Sequence, residues 1–107
     1  MTVVYNPMLS QLELDLRKCK NLYSDYNNSV QNIQRVIDNI DKLVQELASS
    51  FTIDDNNISL YGEFSNLRSE YVSYRNDINN CILPAINNKI ISLNSQIRDL
   101  KNNGGVV

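Results

Sequence analysis

One series of apolar residues decides what the first half of this chain can be. It runs Leu9, Leu12, Leu16, Cys19, Tyr23, Tyr26, Val30, Ile33, Ile37, Ile40, Val44, Leu47, in alternating steps of three and four. That is a heptad repeat, which keeps apolar side chains on one seam of an α-helix. No Gly or Pro interrupts residues 8–50. At the standard rise such a helix is about 65 Å long. Leu22, Val36 and Leu43 each precede a seam residue and widen the seam into a stripe.

The helix has a defined start. Asn6-Pro7 pairs a capping side chain with the residue best suited to the first helical position, because proline's missing N–H costs nothing there. Ser10 with Glu13 offers a second start at capping-box spacing. After Ser50 the pattern breaks. The stretch from Phe51 to Phe64 holds Asp54-Asp55-Asn56-Asn57 and Gly62, and it reads as a turn at 51–59.

A second helix follows at 59–102. Phe64, Leu67, Tyr71, Tyr74 and Ile78 keep the three-four spacing, and then the frame turns polar. The apolar series continues as Ile78, Ile82, Ile86, Ile90, Leu93, Ile97, Leu100. Repeated four-residue steps predict a stutter that locally unwinds the supercoil. Pro84 falls there and predicts a kink, since it takes a donor from the carbonyl of Asn80. Asn102, Asn103, Gly104 and Gly105 end the helix, and residues 103–107 read as a frayed tail. The expected fold class is all-α: a long antiparallel two-helix hairpin, one domain of 107 residues. Its wide stripe, with Leu83 and Ile91 besides, calls for a partner to complete a four-helix bundle.

Composition excludes much. The chain has no His and no Trp, and a net charge of −2. Without His, the commonest general base and metal ligand is missing, and no Gly-rich phosphate loop replaces it. The expectation is a non-enzyme with no catalytic residues, metal or cofactor. The basic cluster Arg17-Lys18-Lys20 stands without aromatic neighbours and reads as a solvated helix face, so no nucleic acid is expected. The loop acids fail as a calcium loop: counted from Asp55, Leu60 stands where Gly is needed and Asn66 where Glu is needed. Asn makes up roughly one residue in six, which reads as the product of an AT-rich coding sequence.

Cys19 and Cys81 form no CxxC pair, and their distances from the turn differ by about ten residues. At the helical rise this is an offset of roughly 15 Å, beyond disulfide reach. Both are expected as free thiols acting as small core hydrophobes. No apolar run is long enough to span a bilayer, and Met1-Thr2-Val3-Val4-Tyr5 does not open a signal peptide. The chain is expected in the cytoplasm, or exported by a route that needs no such leader.

Tyr23, Tyr26, Tyr71 and Tyr74 lie on the seams. They read equally well as core packing with hydroxyls at the rim and as interface anchors. The residues expected to meet a partner are Leu22, Tyr23, Tyr26, Val36, Leu43, Tyr71, Tyr74 and Ile91.

The most specific local pattern is Leu60-Tyr61-Gly62-Glu63-Phe64: an apolar residue, a spacer, Gly, then an aromatic. There Gly would supply a positive φ or let the helices approach closely, and Leu60 would fold back near Phe51 or Leu47. With the hairpin layout and the length, this resembles the WXG family of small helical-hairpin proteins of type VII (ESX-like) secretion. The family's Trp-x-Gly falls on Leu60-Tyr61-Gly62, with Leu in place of Trp. Phe64 and Pro84 also match features of some members. The resemblance implies pairing as homo- or heterodimers in antiparallel four-helix bundles, and export in the folded state. It also implies a role as helical targeting or chaperone partner of a larger LXG-type toxin of Gram-positive bacteria, or as a small secreted effector.

The family's Tyr-x-x-x-Asp/Glu signal is absent from this sequence. The related spacing is Phe51-x-x-x-Asp55, in the turn. Two other readings compete: a self-associating structural coiled coil, and an immunity protein that caps an effector by helix packing.

Overall fold

The computed structural model describes residues 6–50 and 55–104, with side chains over 6–49 and 58–102. Helix α1 spans Pro7–Ser50, α2 Asp55–Asp77, a π-helical turn Ile78–Ile82, and α3 Leu83–Gly104. The last three are continuous and form one rod, which packs along α1. The hairpin measures 80 × 19 × 15 Å. Among the described residues there are no strands.

Asn6 caps α1 as its sequence promised. Its Oδ1 accepts from the Met8 N–H at 3.0 Å and the Leu9 N–H at 3.3 Å, leaving the Ser10 start unused. The seam of α1 is also as expected. Every position from Leu9 to Leu47 is buried or half-buried, apart from Tyr23 at the exposed boundary. The core is thin and lies on the axis of the hairpin: Ile37 and Ile40 from α1, Ile78 from the π turn, and Leu83, Leu93 and Ile97 from α3.

The second arm departs from expectation in four ways. First, α2 begins at Asp55, so Leu60, Tyr61, Gly62 and Phe64 lie inside a helix and not in a turn. No described Gly has a positive φ, and a Cβ placed on Gly62 meets no described atom within 4 Å. Gly62 serves neither a turn nor a close approach. Leu60 stays 36% exposed instead of closing the seam. Residues 51–54, Phe51 included, lie outside the described residues, as do the side chains of Asp55, Asn56 and Asn57.

Second, the buried and half-buried positions of α2 and the π turn's start are Tyr61, Phe64, Tyr71, Val72, Arg75 and Ile78, while Arg68, in the same heptad frame, stays exposed. Leu67 and Tyr74, expected on the seam, are 40% and 54% exposed. The two arginines take their places in the heptad frame. Their heads reach across to α1, Arg75 from a half-buried position and Arg68 from an exposed one.

Third, the unwinding expected after Ile78 is there, but as a π turn, and Leu83 is buried beside the half-buried Ile82 of the expected series. Beyond the π turn the frame is Leu83, Ile86, Ile90, Leu93, Ile97, Leu100, again in strict steps of three and four. The two blocks are in phase apart from one five-residue step from Ile78 to Leu83. The π turn absorbs that step: the Leu83 N–H donates to the Ile78 carbonyl, five residues back. Pro84 follows directly, so the widened ladder sits where a proline ring would crowd a normal helix. The rod continues beyond it to Gly104, two residues past the expected end.

Fourth, both cysteines are free, but Cys81 is exposed and is no core residue; Cys19 is half-buried.

Candidate partner-binding edge

The hairpin has two long edges of opposite chemistry, and the heptad positions show why. On α1, the residue one step after each leading seam residue's turn (Glu13, Asn27, Gln34, Asp41) flanks the seam on one side. Met8, Leu22, Val36 and Leu43 flank it on the other, with Asp15 and Ser29 at the positions between them. Each set is spaced by multiples of seven. In an antiparallel pair, equivalent flanks of the two arms share an edge.

The first edge is clamped and mostly polar, although its α2 flank also carries Ile58, 58% exposed. Arg68 donates to Asp41 through Nε at 2.7 Å and Nη2 at 3.3 Å. The hydrogen bond and charge of Asp41 raise the Arg68 pKa further above its ordinary value. Arg75 Nη1 donates to Gln34 Oε1 at 2.7 Å, and Gln34 Nε2 donates to Asp38 at 3.0 Å. Lys101 Nζ lies 3.6 Å from Glu13. All three cross-arm contacts use the same flank of α1. Beside the π turn this edge opens into a groove of about 470 Å³, lined by Tyr23, Asn27, Asn79, Leu83, Pro84 and Asn87.

The second edge is apolar and open. On α1 it carries Met8 (64% exposed), Leu22 (46%) and Leu43 (48%), with Val36 half-buried among them. On α2 it carries Leu60, Leu67 and Tyr74, again spaced by sevens. These residues project away from the row of Arg68 and Arg75, which marks the polar edge. Toward the termini a shallow groove of about 290 Å³ joins Met8 and Leu12 to Gln96, Asp99 and Leu100, which places the two arms' flanks on this same side. Tyr71 and Tyr74 meet edge to face, ring centroids 6.0 Å apart.

Of the residues expected to meet a partner, Leu22, Val36, Leu43 and Tyr74 thus share the apolar edge. Tyr26 and Tyr71 are half-buried between the arms, leaning toward it. Tyr23 lines the polar-edge groove instead, and Ile91, 58% exposed, projects outward beyond the polar flank of α3. Leu60 and Leu67 belong to the apolar edge but were read as turn and seam. Their spacing to Tyr74 was the available signal. On α2, Glu63, Glu70 and Asp77 form a row at seven-residue spacing, just outside Leu60, Leu67 and Tyr74.

Among the described residues, no helix is long and apolar enough to cross a membrane, and no cluster of His, Cys, Asp or Glu could hold a metal ion. No protein-family model, no curated protein and no solved structure matches this chain.

Proposed function

We propose that this chain is a WXG-like helical hairpin of a type VII secretion system, acting as targeting or chaperone partner of a larger LXG-type toxin. In this reading the toxin's N-terminal helices lie along the apolar edge and complete a four-helix bundle. The shared bundle then presents a composite surface to the secretion machinery.

The observation that carries the reading is the uncovered apolar edge. Leu22, Leu43, Leu60, Leu67 and Tyr74 stay substantially exposed along one side of a rod. Soluble monomers rarely leave so many large apolar side chains exposed along one side, even with Asp15 and Ser29 interrupting the α1 flank. The accessible surface is 7964 Å², whereas a compact chain of this mass would expose about 6,100 Å². That excess follows from the elongated shape, 80 × 19 × 15 Å, in which each arm is covered on one side only. The matched arms and the Leu60-Tyr61-Gly62 pattern add support from the family resemblance, although Gly62 does not do here what a turn glycine would.

The test is co-expression with an LXG-type protein encoded beside it. Co-purification is expected, and it should be lost in Leu43→Asp and Leu67→Asp, whose exposed sites leave the hairpin folded. Retention of the complex in both variants, or no complex with the wild type, would count against the reading.

A further inference from the structure

The apolar edge has a charged border, and its sign is one-sided in the half nearest the turn. Glu63, Glu70 and Asp77 run outside Leu60, Leu67 and Tyr74 on α2, and Glu46 lies outside Leu43 on α1. All four are exposed. Among the described residues none of them forms an ion pair; the cations of α2, Arg68 and Arg75, are engaged on the opposite edge. Lys42, one turn before Glu46, offsets part of that charge, but Glu63, Glu70 and Asp77 have no Lys or Arg three or four residues away on their own helix.

A second copy of this chain supplies little to meet them. Packed with turn halves together, it sets acidic border against acidic border. Packed end to end, it offers Lys18 and Lys89, the exposed cations on this edge of the other half, but brings Asp15 and Asp99 with them. Like charges across an interface cost several kcal/mol and select against wrong partners.

We propose that the occupant of this edge is an amphipathic helix of another protein whose apolar stripe is flanked by Lys or Arg. This rests on the preceding reading that a helical partner covers the edge, and adds what that helix must carry. The apolar strip provides the burial, and the acidic border sets the choice of partner and speeds encounter.

The test uses two synthetic amphipathic helices of equal length with the same leucine stripe, one flanked by Lys and the other by Glu. Binding to the intact chain is followed by fluorescence anisotropy. The Lys-flanked helix is expected to bind roughly tenfold tighter or more at low salt, with the gap narrowing as salt rises. In the variant Glu63→Lys/Glu70→Lys/Asp77→Lys the preference should invert. Equal binding of both helices, or a preference unmoved by the charge reversal, overturns the inference. A stable wild-type homodimer in sedimentation equilibrium that neither peptide disturbs overturns it as well. Leu43→Asp/Leu67→Asp separates the two readings. If it leaves Lys-helix binding intact, the docking edge itself is wrong; if it abolishes binding while charge is irrelevant, only the present inference fails.

Discussion

Replacing Gly62 by alanine should stabilise the hairpin. Gly62 lies well inside α2, is exposed, has no positive φ, and a Cβ there meets no described atom within 4 Å. With no steric or conformational reason for glycine, its remaining effect is entropic. Glycine in a helix interior costs about 0.5–1 kcal/mol relative to alanine. Gly62→Ala should recover that amount, since alanine also narrows the unfolded ensemble. For a chain of this size the gain corresponds to a rise in Tm of roughly 2–8 °C. Urea unfolding followed by far-UV circular dichroism checks it, with an unchanged m-value showing that the folded surface is the same. A loss of stability would refute the reasoning, because only a positive φ or a tight helix contact at Gly62 would make alanine harmful.

Other outcomes follow from the same geometry. Deleting Asn80 in a Pro84→Ala background removes the residue that the π turn absorbs. It should leave a folded hairpin with continuous heptads, whereas deleting Asn66 should unfold it by rotating the seam; thermal melts of both compare them. Leu93→Ala should cost about 2–5 kcal/mol in denaturant unfolding, as expected for a buried leucine, while Leu22→Ala on the open edge should cost far less. Arg68→Met should weaken the hairpin only slightly, and the difference should shrink in high salt, because the Asp41 pair is exposed. In the folded protein Cys81 should react with a thiol reagent well before Cys19, and mass spectrometry should find no intramolecular disulfide.

The sequence made α1 legible almost entirely. Its cap, its length and its seam follow from Asn6-Pro7 and from an apolar series that no polar residue interrupts. The second arm was harder for definite physical reasons. Leu67 and Tyr74 are apolar and keep perfect spacing to Phe64, so hydrophobicity alone put them on the seam. The frame instead passes through Arg68 and Arg75, of which only Arg75 is half-buried, and their charged heads bond Asp41 and Gln34. The apolar series after Ile78 marks where the helix unwinds, but with Ile82 and Leu83 adjacent and both apolar it could not show that the unwinding is a π turn with Leu83 the more deeply buried. Gly62 suggested a turn, yet a helix can carry a glycine at modest cost, and local composition could not show that α2 had already begun at Asp55. The open edge was half visible: Leu22, Val36 and Leu43 stood out beside the α1 seam. Its α2 side was hidden until Leu67 and Tyr74 were known to face away from α1.

The central claim is that a partner docks on the apolar edge and not on the clamped one. Cysteine accessibility in the complex tests it most directly. Single cysteines are placed in a Cys19→Ser/Cys81→Ser background at Leu43 and Leu67 on the apolar edge, and at Asn27 and Asn87 on the polar edge. Alkylation rates are measured for each variant with and without the co-purified helical partner. The account predicts strong protection of the thiols at 43 and 67 on binding and unchanged reactivity at 27 and 87. Protection of the polar-edge thiols, with those at 43 and 67 still fully reactive, would contradict it.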